Sequence, residues 1–342
     1  MKQIEALNKL FNQLKIKVDV KSCIKENSFL IFDLALNYGG TFRKLETYST
    51  EIALALKSLS PPLIYPILEK GIIRMEVMVE KQDTVYLTNI IQETDGHLPL
   101  ILGLSRKGKL ITIDLTKAPH ILLAGTTGSG KSIMLHTIIY NLLNQNVNLA
   151  LIDTKRVEFS CYNNLSKLFA PIAIDVDGAI NLLKNLIIEM EERFLRLEKS
   201  RCRDIFSYKG DMPFVVLIID EFADLMVSNK KEVQKLICKL AQKSRACGIF
   251  EVMATQRPSA DVITGLIKAN FPTRIAFKVN SGVDSRIILN QQGAEKLTGN
   301  GDGIIQSPEY DFQRFKGCYL SEEDIQEVIN KNRKSWWNRI FK

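Results

Sequence analysis

The residues best suited to chemistry stand at Gly125–Ser132, reading Gly125, Thr126, Thr127, Gly128, Ser129, Gly130, Lys131, Ser132. They follow the apolar run Ile121-Leu122-Leu123-Ala124 and precede Ile133-Met134-Leu135-His136, the start of a helical pattern. A strand, a glycine-rich turn and a helix in that order make a phosphate cradle. Gly125, Gly128 and Gly130 are expected to supply the positive φ that turns successive N–H groups inward. Lys131 brings a mobile cation to the β- and γ-phosphates, and the Ser132 hydroxyl is placed to bind Mg²⁺. The helix adds the positive end of its dipole. A nucleoside triphosphate site follows.

A second reactive pair ends the apolar run Phe214–Ile219 as Asp220-Glu221. A strand apolar on both faces is a buried one in a parallel sheet, and its C-terminal end faces the ligand crevice. Asp220 would hold Mg²⁺ through water and Glu221 would polarise the attacking water. The alternative for Glu221 is a cap on the following helix. In a chain that already has a phosphate loop, the pair points to ATP hydrolysis. Another buried strand, Ile249–Ala254, delivers Thr255-Gln256-Arg257. There Gln256 senses the γ-phosphate or orients water, unless it only satisfies backbone groups of its loop.

Elements that must position these groups are legible from hydrophobic period. Beyond the phosphate loop, apolar runs near 148–152, 214–219, 249–254 and 274–279 alternate with helical stretches. The fold class is therefore α/β with a mostly parallel central sheet. A long amphipathic helix starts near Asp177, and another closes at Gly248. Upstream, Leu7–Leu14 reads as a short helix, Phe29–Leu36 as a strand, and Leu45–Leu59 as a helix stopped by Pro61-Pro62. Strands at 72–79 and 85–87 precede a hairpin over 100–115, which turns at Arg106–Lys109. The expected division is a helical extension (1–28), a small α+β domain (29–118), a nucleotide domain (119–320) and a basic aromatic tail (321–342). The small domain carries no catalytic signature and reads as scaffold.

Bulk properties narrow the class. The chain of 342 residues has room for two to three domains, with 46% hydrophobic and 25% charged residues. Its net charge of +8 favours an anionic partner. Six cysteines without CxxC spacing and three histidines argue against a zinc site and for a reducing compartment. No apolar run approaches the roughly 18 residues that cross a bilayer, and there is no signal-peptide pattern. A soluble, cytoplasmic protein is expected.

The blocks "APHILLA" before the phosphate loop, "VVLIIDEFADLM", "LAQKSRACGI", "ATQRPSADVITGLIKANFPTRIAF" and "DSRIILNQQGAEKLTG" carry a family likeness. Over about residues 29–320 the chain resembles the FtsK/SpoIIIE family of DNA-pumping ATPases. The resemblance implies a ring, hexameric in that family, of RecA-like cores that threads double-stranded DNA using ATP and Mg²⁺. It gives Asp220 and Glu221 to metal and water, and Gln256 to the γ-phosphate. An arginine from the neighbouring subunit should complete the site, with Arg286 favoured and Arg274 and Arg245 as alternatives. DNA contacts would come from Arg201, Arg203 and the segment Arg257 to Lys268, meeting backbone phosphates.

Departures from the family pattern shape the remaining expectations. Thr154 stands where a proline is usual. Residues 1–28 and 321–342 have no room for a membrane domain or a winged helix, so neither is expected, and DNA of a plasmid, conjugative element or phage-like particle becomes the expected cargo. The end of the chain, with Trp336, Trp337, Ile340 and Phe341, could dock on a protein, on DNA or on a membrane, or pack on its own domain. Rival functions are a conjugative coupling or single-strand DNA motor, and an ATP-gated DNA-binding ring that does not translocate.

Overall fold

A computed structural model describes residues 2–333. Trp336, Trp337, Ile340 and Phe341 therefore lie outside the described residues. The apolar stretch FLIFDLAL forms β2 (Phe29–Leu36), which lies inside an antiparallel sheet of order β1-β2-β4-β3. Its partners are β1 (Val18–Glu26), β3 (Leu63–Ile67) and β4 (Ile72–Met78). Three helices, α1 (Lys2–Gln13), α2 (Phe42–Thr47) and α3 (Ser49–Leu56), bury Leu7, Phe11, Leu45 and Ile52 with Phe32, Leu34 and Met75. The single helix expected over 45–59 is broken at Tyr48 (φ −96°, ψ 24°). It ends at Leu56 because Lys57 turns left-handed, ahead of the two prolines.

The second sheet contains β5 (Val85–Tyr86), β6 (Pro99–Ser105), β7 (Leu110–Asp114), β8 (Ile121–Ala124) and β9 (Val147–Ile152). It continues with β10 (Phe214–Ile219), β11 (Ile249–Thr255), β12 (Thr273–Phe277), β13 (Asp302–Gln306) and β14 (Gln313–Tyr319). The order is β7-β6-β14-β13-β12-β8-β11-β10-β9, with β5 on β14. From β12 to β9 all pairings are parallel, as expected of an α/β core. The wing from β12 through β13, β14, β6 and β7 is antiparallel. Its strands β13 and β14, interrupted by Gly303 and Gly317, gave no clear periodic signal.

The sheets divide the chain elsewhere than at residues 28 and 118. Strand β1 pairs with β2, so residues 18–26 belong to the small sheet. The hairpin β6–β7 joins the large sheet through β14.

Both faces of the large sheet are covered. Along β10 the side chains alternate, with Val215, Leu217 and Ile219 in one cluster and Val216 and Ile218 in the other. The helices α6 (Val176–Lys199), α7 (Phe222–Lys243) and α9 (Gly282–Leu289) contribute to the first cluster, for example through Leu186, Met190, Ile237 and Ile288. On the other face lie α5 (Lys131–Leu143) and α10 (Glu322–Lys331). Short helices α4 (Leu87–Ile90) and α8 (Gly265–Asn270) complete the set. Each large side chain so buried contributes roughly 1.5–3 kcal/mol. The tail expected from residue 321 begins as helix α10, started by a Ser321–Asp324 capping box.

Two buried arginines of the large sheet reach the small one, one through a ring contact and one through an ion pair. Arg314 on β14 grips Asp302 with Nε–Oδ1 2.9 Å and Nη2–Oδ2 2.7 Å, and its guanidinium lies 4.7 Å from the Phe29 ring centroid. Arg106, in the β6–β7 turn, pairs with Glu76 of β4, which also accepts from the Tyr65 hydroxyl. Burial alone would raise the Asp302 carboxyl, but the Arg314 guanidinium and the Thr298 donors hold it below the ordinary value. Such a depressed carboxylate stabilises the fold above its unfolded pKa, near 4, and that stabilisation is lost as pH falls through the lower folded value. Arg314→Met should therefore cost about 3–5 kcal/mol at neutral pH by stranding Asp302. Urea unfolding should show this deficit shrinking as pH falls toward about 4, because burial without the guanidinium raises the stranded carboxyl and it takes up a proton above the ordinary value.

Candidate nucleotide-binding site

The strand order sets the site. β8 ends in the phosphate loop and β10 ends in Asp220-Glu221, and β11 lies between them. Thr255 and Gln256 therefore emerge between the loop and the two acids. Gly128 (φ +75°) and Gly130 (φ +112°) take the left-handed backbone expected of them. Gly125 does not: it is not among the positive-φ residues, and its glycine answers to crowding instead. A Cβ there would lie 2.8 Å from the Phe277 Cβ and 2.5 Å from the Ser129 Oγ. A Cβ on Gly130 would meet the backbone N of Gly301 at 2.7 Å. That turn braces the loop from outside, because Gly301 N donates to Ser129 O (2.8 Å) and Asn300 N to Gly128 O (3.2 Å). Helix α5 starts at Lys131 with no side-chain cap, which leaves its first-turn N–H groups to a ligand.

Lys131 is 2% exposed and its Nζ donates to Asp220 Oδ1 (2.6 Å) and Asp220 O (2.9 Å). Burial raises the Asp220 carboxyl above its ordinary value; Lys131 opposes this, and the nearby Glu158 and Asp153 charges add to it. The Glu221 carboxylate accepts from Thr255 Oγ1 (2.7 Å), from Gln256 N (3.1 Å) and from Lys155 Nζ (3.3 Å). It also caps α7, but that bond from Ala223 N is the longest at 3.4 Å. Its main tie is to β11. The Gln256 side chain accepts from Thr127 Oγ1 at 3.3 Å, so it faces the phosphate loop.

Glu158 escaped the sequence reading. Buried Asp153 accepts from Phe159 N at 2.9 Å and folds the loop after β9 back toward α5. Glu158 Oε1 then accepts from Ser132 Oγ at 2.6 Å, and its Oε2 lies 3.5 Å from His136 Nε2. His136 Nδ1 is in turn 2.8 Å from the Tyr162 hydroxyl. The His136 contact, opposed by partial burial and helped by Ser132, holds the Glu158 carboxyl down to about 2. Only the spacing of Ser132 and His136, one helical turn apart, hinted at this cluster. With Asp153 and Asp220 nearby, the donors are hydroxyl and carboxylate oxygens, the hard set that Mg²⁺ prefers. Asp153 Oδ1 is buried with no hydrogen-bond partner among the described residues, which fits an outer-sphere contact to a hydrated ion.

Other expected residues are placed apart. A cleft of about 900 Å³ opens from the phosphate loop, and the cations lining it are Lys81, Lys131 and Lys316. None of Arg286, Arg274 or Arg245 lines it. Arg274 donates to Phe271 O and Lys268 O, and Arg245 to Thr116 O. Arg286 is exposed on α9, its Nη2 2.6 Å from the Gln292 amide oxygen once that amide is turned. Arg201 and Arg203 are exposed in a loop fixed by Ile205 N to Ala246 O (2.8 Å), beside the start of β11. Arg257 is exposed at the other end of that strand, about 20 Å away at the usual rise per residue. Lys268 is tied to Asn290 Oδ1 at 2.8 Å. Thr154 donates to Asp224 at 3.1 Å.

A profile of the FtsK/SpoIIIE family matches residues 84–214 and 207–260, more than half of the chain. The chain belongs to the FtsK/SpoIIIE family. It is 40% identical to the DNA translocase FtsK of Treponema pallidum over 94% of this chain and 43% of that one. With its namesake in Borreliella burgdorferi it shares 36% identity over 97% of this chain and 45% of that one. The chain thus spans less than half the length of these FtsK relatives. Its fold is also that of the pCW3 conjugation coupling protein TcpA in a monomer form with ATPγS (TM-score 0.69, 24% identity, 97% of this chain and 100% of that one). The cytoplasmic domain of the Thermomonospora curvata type VII secretion ATPase EccC shares it too (TM-score 0.60, 23% identity, 69% and 31%). These likenesses show the same fold for the α/β core. No helix among the described residues is long and apolar enough to cross a membrane.

Glu158→Gln should raise about tenfold the Mg²⁺ concentration needed for half-maximal binding of a fluorescent ADP analogue. Affinity without metal should not fall, because the lost charge repels phosphate; a fall in both would mean that Glu158 only shapes the loop.

Proposed function

We propose that this chain is an ATP-hydrolysing motor that moves double-stranded DNA, working as a hexameric ring. The observation that carries the reading is the convergence of Lys131, Asp220, Glu221 and Gln256 on one crevice, in a chain of the FtsK/SpoIIIE family. Lys131 exchanges Asp220 for the β- and γ-phosphates. Ser132 and Asp220 would hold Mg²⁺, with Glu158 beside them, and the ion would neutralise charge developing on the phosphate oxygens. Glu221 accepts a proton from the attacking water once Lys155 leaves its Oε2. Gln256, beside Thr127, reports the γ-phosphate to β11.

The absence of arginine from the cleft lining among the described residues supports completion of the site by a neighbour. A trans arginine is worth about 10³–10⁵ in rate in comparable sites. Arg286 is the best placed of the three, being exposed and free of the backbone bonds that occupy Arg274 and Arg245. Arg257 and the Arg201–Arg203 loop are the proposed phosphate-backbone contacts. The segment from Arg257 to Lys268 contains no aromatic side chain on which bases could stack, which favours duplex over single strands.

Glu221→Gln should keep ATP binding while lowering turnover about 10²–10⁴-fold. Wild-type hydrolysis should rise on adding duplex but not single-stranded DNA, and the protein should displace a triplex strand in a reaction that Lys131→Ala abolishes. Equal hydrolysis with and without duplex, together with no rings on DNA, would refute the proposal. Arg257→Ala should lower the slope of log affinity for duplex against log salt by about one, uniformly across sequences.

A further inference from the structure

The phosphate loop accounts for only one end of the cleft. The other end is walled by residues of the small sheet and its connector, Leu59, Met78, Gln82, Thr84 and Tyr86, and by Tyr319 at the end of β14. Parallel pairing of Tyr86 with Tyr319 brings β5 onto β14, and the two rings meet edge to face with centroids 5.6 Å apart. Both remain open to solvent, 44% and 41% exposed, at the mouth of a cleft whose floor is the nucleotide site. Exposed aromatic rings in such a place are surface that a flat apolar ligand would cover.

Distances along the chain fit a nucleoside. Lys316 Nζ donates to Asn300 O at 2.7 Å, and Asn300 touches the phosphate loop through Gly128. From Lys316 to Tyr319 is three steps of strand, about 10 Å, the reach of a nucleoside from its α-phosphate. The Gln82 Oε1 is shielded from water yet has no hydrogen-bond partner among the described residues. A carboxamide can accept from an exocyclic amino group while donating to the adjacent ring nitrogen, the pairing that distinguishes adenine from guanine.

We infer that the connector after β4 and the β5–β14 edge form the base end of the nucleotide site: Tyr86 and Tyr319 hold the purine ring, and Gln82 selects adenine over guanine. This rests on the reading of Gly125–Ser132 as the triphosphate site. Leu59 and Met78 supply the apolar wall behind the ring, and Thr84 lies within the same lining. The connector between the two sheets is then a specificity element.

Calorimetric titration of ATP, GTP and inorganic tripolyphosphate into the whole chain and its variants tests this. Tyr86→Ala and Tyr319→Ala should each weaken ATP about tenfold and leave tripolyphosphate unchanged, as expected for loss of one stacking ring. Tyr86→Phe, which keeps the ring, should bind ATP like the wild type. Gln82→Leu should reduce the preference for ATP over GTP about tenfold. The inference is overturned if the alanine variants bind ATP as the wild type does, or if Tyr86→Phe loses as much as Tyr86→Ala. It is also overturned if wild type binds ATP no more tightly than tripolyphosphate. Those outcomes leave the phosphate loop intact, whereas a wild type that binds neither ligand, or a Lys131→Ala variant that keeps both, would remove the triphosphate reading itself.

Discussion

A lysine and an aspartate buried against each other, Lys131 and Asp220, each 2% exposed, fix the geometry of the whole site. Withdrawing two ions from water costs several kcal/mol apiece, which only close pairing offsets. The pair therefore forces the start of α5 and the end of β10 to meet. It also makes the site self-consistent without ligand. On the proposed reading, a triphosphate and a divalent cation arriving together would give the lysine phosphate oxygens and the aspartate a cation. That exchange of partners would need no buried unpaired charge. Phosphate without the cation would leave Asp220 facing added negative charge, alongside Glu158 and Asp153, both of which already disfavour its ionisation.

Glu221 is constrained in a different way. Its carboxylate is filled by a hydroxyl, a main-chain N–H and an ammonium, all short of the solvent a water nucleophile would occupy. The first of those donors ends β11 and the second is the next residue, Gln256, whose side chain faces the phosphate loop. The hydrogen bonds to Glu221 and the contact at Thr127 thus meet at one strand end. Its other end begins beside Ala246, which accepts from the loop bearing Arg201 and Arg203.

The parallel core and the phosphate loop were legible because their signals are local. Five apolar runs of similar length, each followed by a chemically distinctive residue, predict strands ending in a crevice. The loop's glycines were legible as glycines, although Gly125 is needed for its closeness to Phe277 and not for its backbone angle. Glu158 was invisible because its role arises from a loop folded back by Asp153, a contact that no spacing rule encodes. Strands β13 and β14 were missed for the same kind of reason. Their glycines, which weaken any periodic pattern, are where the chain crosses Phe277 and Met134 too closely for a side chain. Arg274, an alternative for the trans arginine in the sequence, donates to the carbonyls closing α8.

Residues 29–118, expected to be scaffold, contribute lining to the cleft that opens from the phosphate loop. Leu59, Met78 and Tyr86 are ordinary core and strand residues by type, and nothing in their spacing marks a ligand site. Their meaning comes from docking. Arg314, held by Asp302, stacks on Phe29, and Arg106 reaches Glu76, so two charged side chains of the large sheet penetrate the small one. A purely apolar contact between the sheets would tolerate sliding, because dispersion and burial are nearly indifferent to small translations. A guanidinium–carboxylate pair such as Arg106–Glu76 is not, since its hydrogen bonds weaken steeply with angle. That pair and the Arg314–Phe29 contact therefore fix where the small sheet docks on the large one, and hence the shape of the cleft lined by both.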